Sequence, residues 1–421
     1  MLRTRLSAIT IFISGAYFLV TAKLLFMSWM PCECPYTGQG SAIAGRHPTQ
    51  IHGFTPWNSN GSDDSSTVHG DLDLREASRP LRPTGEQAAD LDESSAESGV
   101  KILLVGKARY GSTFLGQFLN VHPDIMYIFE PIRAVHLMAR SGAIPKSLID
   151  ACAVEILQNL YGCYFPNYFV HSNFMSWKIG VFNSKVIRLF CGSENDCTGR
   201  ETEDFSVLCQ LYNHIAIKVI RLTSVALLER LVTTHNYNLK IIFLVRDPRA
   251  VALSRRTMKF PPRRRNESLL NLQLVGPPGA KLNNLSPENV NYDCARFREN
   301  LRVIEDPPEW LRGRIILLRH EDVAMDTLGI VEDIYKFVGV DIDESVRTAV
   351  QKHTQSKEGA TDNNMETRRN STTVVHAWRN GIYYDDVIAI QAVCGDVMER
   401  LGYELVESED QLRDIQNFKV F

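Results

Sequence analysis

Residues 101–120 read KILLVGKARYGSTFLGQFLN. The apolar run KILLV ends at Gly106, as a buried parallel strand would, and STFLGQFLN then sets Phe114, Leu115, Phe118 and Leu119 at helical spacing. A strand, a glycine-containing loop and a helix in this order predict an α/β fold. The loop GKARYGST approaches the phosphate-binding pattern G-x-x-x-x-G-K-[ST]. Gly106, Gly111 and Thr113 match it, whereas Ser112 stands where the lysine belongs. Such a loop offers backbone N–H groups and a helix N-terminus to an anion. Ser112 and Thr113 add hydroxyls, and Lys107 or Arg109 supplies charge. Without the lysine, and with the strongest strand ending in Arg246-Asp247, hydrolysis of ATP is disfavoured.

Further strands follow outward from this stretch. MYIF (126–129), HIAIKVI (214–220), LKIIFLV (239–245) and RIILL (314–318) are short apolar runs separated by helical stretches. The expected architecture is a P-loop-like central parallel sheet with helices on both faces. In such sheets ligands bind beyond the carboxyl ends of the strands, and GKARYGST, FEP and RDPRAVALSR all fall there.

The stretch FLVRDPRAVALSRR carries the second anion signal. Arg246 leaves the strand end, Pro248 opens a helix, and Ser254 with Arg255 lies farther along it, so a guanidinium fork and a hydroxyl can face a second phosphate. Two separated phosphate sites suit a nucleotide phosphorylated at both 5′ and 3′ positions. Glu130, at the strand end in IFEP, is the candidate general base, with burial expected to raise its pKa toward the working pH. The bland alternative is that it caps the following helix and neutralises Arg133. His136 is a weaker substitute, and Lys218 in AIKVI a further candidate facing the site.

The motifs RYGSTFLGQFLN, HPDIMYIFEP, AIKVIRL with LKIIFLVRDPRAVALSR, RHEDVA and WRNGIYYDDVIAIQAVCGDVMERLGY follow one another in this order. Together they resemble the Golgi carbohydrate 6-O-sulfotransferases, which act on galactose, N-acetylglucosamine and N-acetylgalactosamine and include the keratan sulfate and chondroitin 6-sulfotransferases. The resemblance spans residues 100–405. It implies 3′-phosphoadenosine 5′-phosphosulfate (PAPS) as sulfate donor, no metal, and the 6-hydroxyl of a Gal, GalNAc or GlcNAc unit in a glycan or proteoglycan as acceptor. The family's 5′-phosphosulfate loop falls on Arg109, Tyr110, Gly111, Ser112 and Thr113, with Phe114 opening the helix; its 3′-phosphate motif falls on Arg246 and Ser254. Trp378 and Arg379 match a Trp-Arg pair near the donor, for adenine stacking or closure over the phosphates, with core packing the alternative for Trp378. The rivals are a lumenal kinase with a degenerate P-loop and a membrane-tethered glycan-binding homologue that has lost catalysis.

The chain ends frame this domain. Residues 1–5 carry Arg3 and Arg5, and residues 6–30 are apolar around Lys23, which reads as a signal-anchor transmembrane helix with a cytoplasmic N-terminus. Residues 31–99, rich in Ser, Gly, Pro, Asp and Glu, read as a disordered lumenal stem, and residues 100–410 as the sulfotransferase domain. A type II Golgi membrane protein with a lumenal domain follows. The sequons at Asn60, Asn266, Asn284 and Asn370 and the 9 cysteines fit that side of the membrane. Cys191 and Cys197 are the easiest local disulfide, one of the seven cysteines beyond the stem is expected free, and Cys32 with Cys34 leaves a homodimer open. A net charge of −3 argues against a general nucleic-acid binder. Tyr161, Tyr164, Phe165 and Tyr168 read as core of a disulfide-bounded subdomain rather than as a sugar platform.

Overall fold

The computed structural model describes residues 99–192, 196–256, 287–354 and 375–421. The expected anchor, the stem up to residue 98 and all four sequons lie outside these residues; among the described residues no helix is long and apolar enough to cross a membrane.

Five strands form one parallel sheet: β1 (Lys101–Val105), β2 (Ile125–Phe129), β3 (His214–Val219), β4 (Leu239–Val245) and β5 (Ile315–Arg319), in the spatial order β2-β3-β1-β4-β5. Each strand predicted from an apolar run exists, with ends within about one residue. β1 lies at the centre, paired with β3 through Val105↔Val219 and with β4 through Val105↔Phe243. Alternate residues of a strand point to opposite faces, and nearly every residue of β1 to β4 is buried. Both faces are therefore covered, which is why these strands are continuously apolar rather than alternating. The edge strand β5 is half-buried throughout.

The layers come from α1 (Ser112–Asn120), α2 (Ile132–Ser141), α3 (Ile149–Tyr161), α4 (Thr202–Gln210), α5 (Pro248–Arg256), α6 (Pro287–Glu305), α7 (His320–Met325), α8 (Thr327–Val338), α9 (Glu344–Thr354) and α10 (Tyr384–Arg400). Between α3 and α4 several short helices enclose an aromatic cluster of Phe165, Phe169, Phe174 and Phe205. Tyr161 and Phe165 belong to the core, as expected, while Tyr164 is exposed. The disulfides Cys163–Cys209 and Cys191–Cys197 bound this block, and Cys294–Cys394 ties α6 to α10. Cys152 is buried and forms no disulfide among the described residues.

Candidate donor and acceptor site

All five strands run parallel, so their carboxyl ends open on one edge of the sheet. The loop after β1 lies there beside the turn after β4. Gly111, at φ 84°, is the N-cap of α1. A Cβ on it would also run into the imidazole of His320, so only glycine fits. No side chain caps α1 and its first turn holds no acid, which leaves the positive helix end to an external anion.

Arg109 also has a positive φ, 75°, a strained conformation for a residue with a side chain. It joins the two motifs read from the sequence. Its Nε donates to Ser254 Oγ at 2.9 Å, and its carbonyl accepts from Arg246 at 2.9 Å. Arg255 reaches the same loop at Ala108 O, 3.4 Å away, and forms an ion pair with Asp293. The two halves of the expected donor site, 137 and 145 residues apart, are thus clasped directly. Ser112 is buried, while Thr113 and Phe114 are half-buried.

Two loop residues shape the cradle. Tyr110 is buried and stacks on Phe297 with ring centroids 5.5 Å apart. Lys107 turns away to donate to Leu222 O at 3.2 Å, and burial holds its pKa below the ordinary lysine value.

Trp378 and Arg379 require a correction. Arg379 is fully buried and donates to the carbonyls of Gln411, Leu412, Asp414 and Phe418, so its guanidinium pins the C-terminal segment instead of facing a phosphate. Trp378 is 4% exposed and packs against the Arg249 guanidinium at 5.0 Å, leaving no face for adenine. Arg249 is itself buried in an ion pair with Asp247. Beside them Glu321 accepts from Asp247 N and from the Tyr403 hydroxyl, bracing the turn that projects Arg246. His320, against Gly111, is kept neutral by burial and by Arg246.

The other end of the edge is built around Glu130, which follows β2 at φ 49°. Its Oε1 accepts from Lys218 Nζ at 2.5 Å and its Oε2 from Arg221 at 2.6 Å. The expected upward pKa shift is therefore wrong in sign. Burial alone would raise it, but Lys218 and Arg221 outweigh burial and hold the carboxyl below its usual value. The alternative pairing with Arg133 is also not what forms, since Arg133 donates to Ser172 O and lies over Trp177 at 4.3 Å. His136 stands nearby with its Nε2 buried and unbonded, its pKa lowered to about 4 by burial and then by Arg221.

The sequence reading missed Arg221 and Trp177. Lys218 stands out as a charge in a buried strand and was a candidate on that ground, but nothing local marks Arg221 as its neighbour on Glu130.

Residues 100–402, most of the chain, match the sulfotransferase domain family. The chain belongs to that family. Curated relatives include human carbohydrate sulfotransferase 1, 28% identical over 341 residues, covering 74% of this chain and 81% of the relative. Human carbohydrate sulfotransferase 6 is 27% identical over 76% of this chain and 85% of its own length. Mouse carbohydrate sulfotransferase 3 is 27% identical over 82% and 77%. This sulfotransferase-family chain thus places its phosphate-type loop, its basic strand end and its buried carboxylate on one edge of one sheet.

Proposed function

We propose that the chain is a PAPS-dependent carbohydrate sulfotransferase that transfers a sulfuryl group to the 6-hydroxyl of a Gal, GalNAc or GlcNAc unit in a glycan. The observation that carries this reading is the clasp of Arg109 to Ser254 and Arg246, which joins a single-phosphate cradle to a second cationic site on the neighbouring strand end. PAPS supplies the activated sulfuryl group. The N-terminus of α1, with Ser112, Thr113 and Arg109, is suited to the phosphosulfate, and Arg246 with Ser254 to the 3′-phosphate.

Glu130 is the group suited to take the proton of the acceptor hydroxyl as that oxygen bonds to sulfur and the sulfur–phosphate oxygen bond breaks. Its two cationic partners keep it ionised, so it is ready to accept. Negative charge developing on the leaving phosphate would be met by the uncapped N-terminus of α1 and by Arg109.

The basic tail and apolar segment at 1–30 support a type II anchor, and three disulfides support an oxidising lumen such as that of the Golgi. Incubation of the full chain with sulfur-labelled PAPS and a panel of desulfated oligosaccharides is expected to label a hexose or hexosamine at C6. A folded chain that labels none of them, or only positions other than C6, would overturn the reading.

A further inference from the structure

A side chain at a φ of 75° persists only where its surroundings over-determine it, and Arg109 is held from both sides. The carbonyl before its Cα, Ala108 O, accepts from Arg255 Nη2 at 3.4 Å. The carbonyl after it, Arg109 O, accepts from Arg246 Nη1 at 2.9 Å. The carbons of these two carbonyls are the ends of the φ torsion, so two guanidinium groups grip the strained bond between them. Arg246 is placed by the end of β4. Arg255, one residue past Ser254 on α5, is aimed from another helix: Asp293 Oδ2 on α6 accepts from its Nη1 at 2.5 Å. The pair is largely buried, with 16% and 17% of the two side chains exposed.

The sequence of α6 explains why Asp293 has a fixed place from which to do this. Asp293, Phe297 and Asn300 fall at i, i+4 and i+7 and so share one helix face. Phe297 stacks on Tyr110, the residue after Arg109, with the ring planes 5° from parallel. Asn300 accepts from Val225 N at 2.8 Å and donates to Thr223 O at 3.2 Å, which seats the helix on the turn after β3. A neighbouring face meets α10, where Cys294 is bonded to Cys394 and Arg298 pairs with Asp396 at 2.6 Å. One braced helix thus brackets Arg109, at residue 108 through Asp293 and Arg255 and at residue 110 through Phe297.

We propose that Asp293 is a positioning residue for the donor: by aiming Arg255 at Ala108 O it keeps Arg109 in the conformation that binds the phosphosulfate. It touches no reacting atom and acts through Arg255 and the loop. The inference deepens the sulfotransferase reading above and rests on it. Its sign is informative, because an acid beside an anion site would by charge alone weaken donor binding, whereas a positioning acid strengthens it.

The test uses the full chain and the Asp293→Asn, Asp293→Glu, Arg255→Gln and Asp293→Asn/Arg255→Gln variants. Affinity for adenosine 3′,5′-bisphosphate is read by calorimetry, and KM for PAPS and for a desulfated oligosaccharide by sulfur-label transfer. Asp293→Asn should raise Kd for the bisphosphate and KM for PAPS about tenfold, the scale of one charge-assisted hydrogen bond. KM for the oligosaccharide should stay within about twofold, below a single hydrogen bond. Asp293→Glu should recover most of the loss, since the carboxylate still reaches the guanidinium. In the Arg255→Gln background Asp293→Asn should change donor affinity by less than about twofold, because the group it works through is gone. Tighter bisphosphate binding by Asp293→Asn would overturn the proposal, as would equal losses toward donor and acceptor or an undiminished effect in the Arg255→Gln background. Binding is read without acceptor, so a chain that shows this dependence on Asp293 and transfers no sulfate supports the inference while sinking the catalytic reading. A wild-type chain that binds no bisphosphate would sink the donor reading and this inference with it.

Discussion

The two ends of the sheet edge are built in opposite ways. The β1/β4 end is a backbone device: a glycine loop, an uncapped helix and a guanidinium at positive φ present N–H groups and a clasp. The β2/β3 end is a side-chain device, in which one buried carboxylate is held between two cations 88 and 91 residues away. A backbone cradle binds any small anion and tolerates the loss of one side chain. A buried ion cluster does not, because removing one member leaves the others desolvated and unbalanced.

The contrast is tested most severely at Glu130. Glu130→Gln should lower kcat by about 10²- to 10⁴-fold, the range for loss of a positioned base. Binding of adenosine 3′,5′-bisphosphate, read by calorimetry, should stay near wild type, because the proposed donor cradle lies at the other end. A parallel loss of donor affinity would show that the two ends are one unit.

The same cluster sets a pH expectation. The folded pKa of Glu130 is depressed, so its ion-pair contribution to stability is present above the unfolded value, about 4.3, and is lost as pH falls through the lower folded value. His136, near 4, does not titrate above that range. The kcat/KM profile should therefore be flat from about pH 5 to 7. An acid limb centred near 6 would mean that Lys218 and Arg221 do not hold Glu130 as described. Replacing Lys218 with Met should move the limb upward.

A second pairing sharpens the comparison within one residue type. Arg246 faces the cradle and Arg379 is sealed among four carbonyls. Arg379→Ala should cost about 3 kcal/mol of stability through unsatisfied carbonyls and lost packing, seen in urea unfolding, with donor affinity retained in the folded fraction. Arg246→Ala should do the reverse, weakening adenosine 3′,5′-bisphosphate binding by about 10- to 100-fold, one or two charge-assisted bonds, with little change in unfolding midpoint. Exchanged phenotypes would return Arg379 to the donor site.

What was legible in the sequence follows the same division. Each strand is a run of apolar residues, and a strand buried on both faces needs no partner to be recognised, so the sheet was readable. Gly111, Arg109 and Arg246 lie in motifs whose chemistry is local, whereas the direct contact of Arg246 with the Arg109 carbonyl is not written in either motif. Arg379 was misread because a Trp-Arg pair looks alike whether it stacks on a ligand or closes a C-terminal turn; only the carbonyls of residues 411–418 distinguish the two. The sign of the Glu130 shift was misread for a related reason. Burial can be inferred from an apolar strand, whereas the compensating charges come from β3 and the turn after it, and pairing across strands is not written in either segment alone.

The smallest effect is expected at Ser254. Its hydroxyl oxygen accepts from Arg109 Nε, so it aligns the arginine of the loop. Ser254→Ala removes the hydrogen bond to Arg109 Nε and leaves Arg109 anchored by its backbone to Arg246. The expected loss is about fivefold in affinity for adenosine 3′,5′-bisphosphate, near 1 kcal/mol, with a smaller loss for adenosine 5′-monophosphate, which lacks the 3′ group. Equal weakening of both ligands would reduce Ser254 to a brace for Arg109. A loss above about a hundredfold, well beyond one hydrogen bond, would mean that the clasp is what keeps the cradle open, and the backbone end of the edge would prove as dependent on single side chains as the carboxylate end.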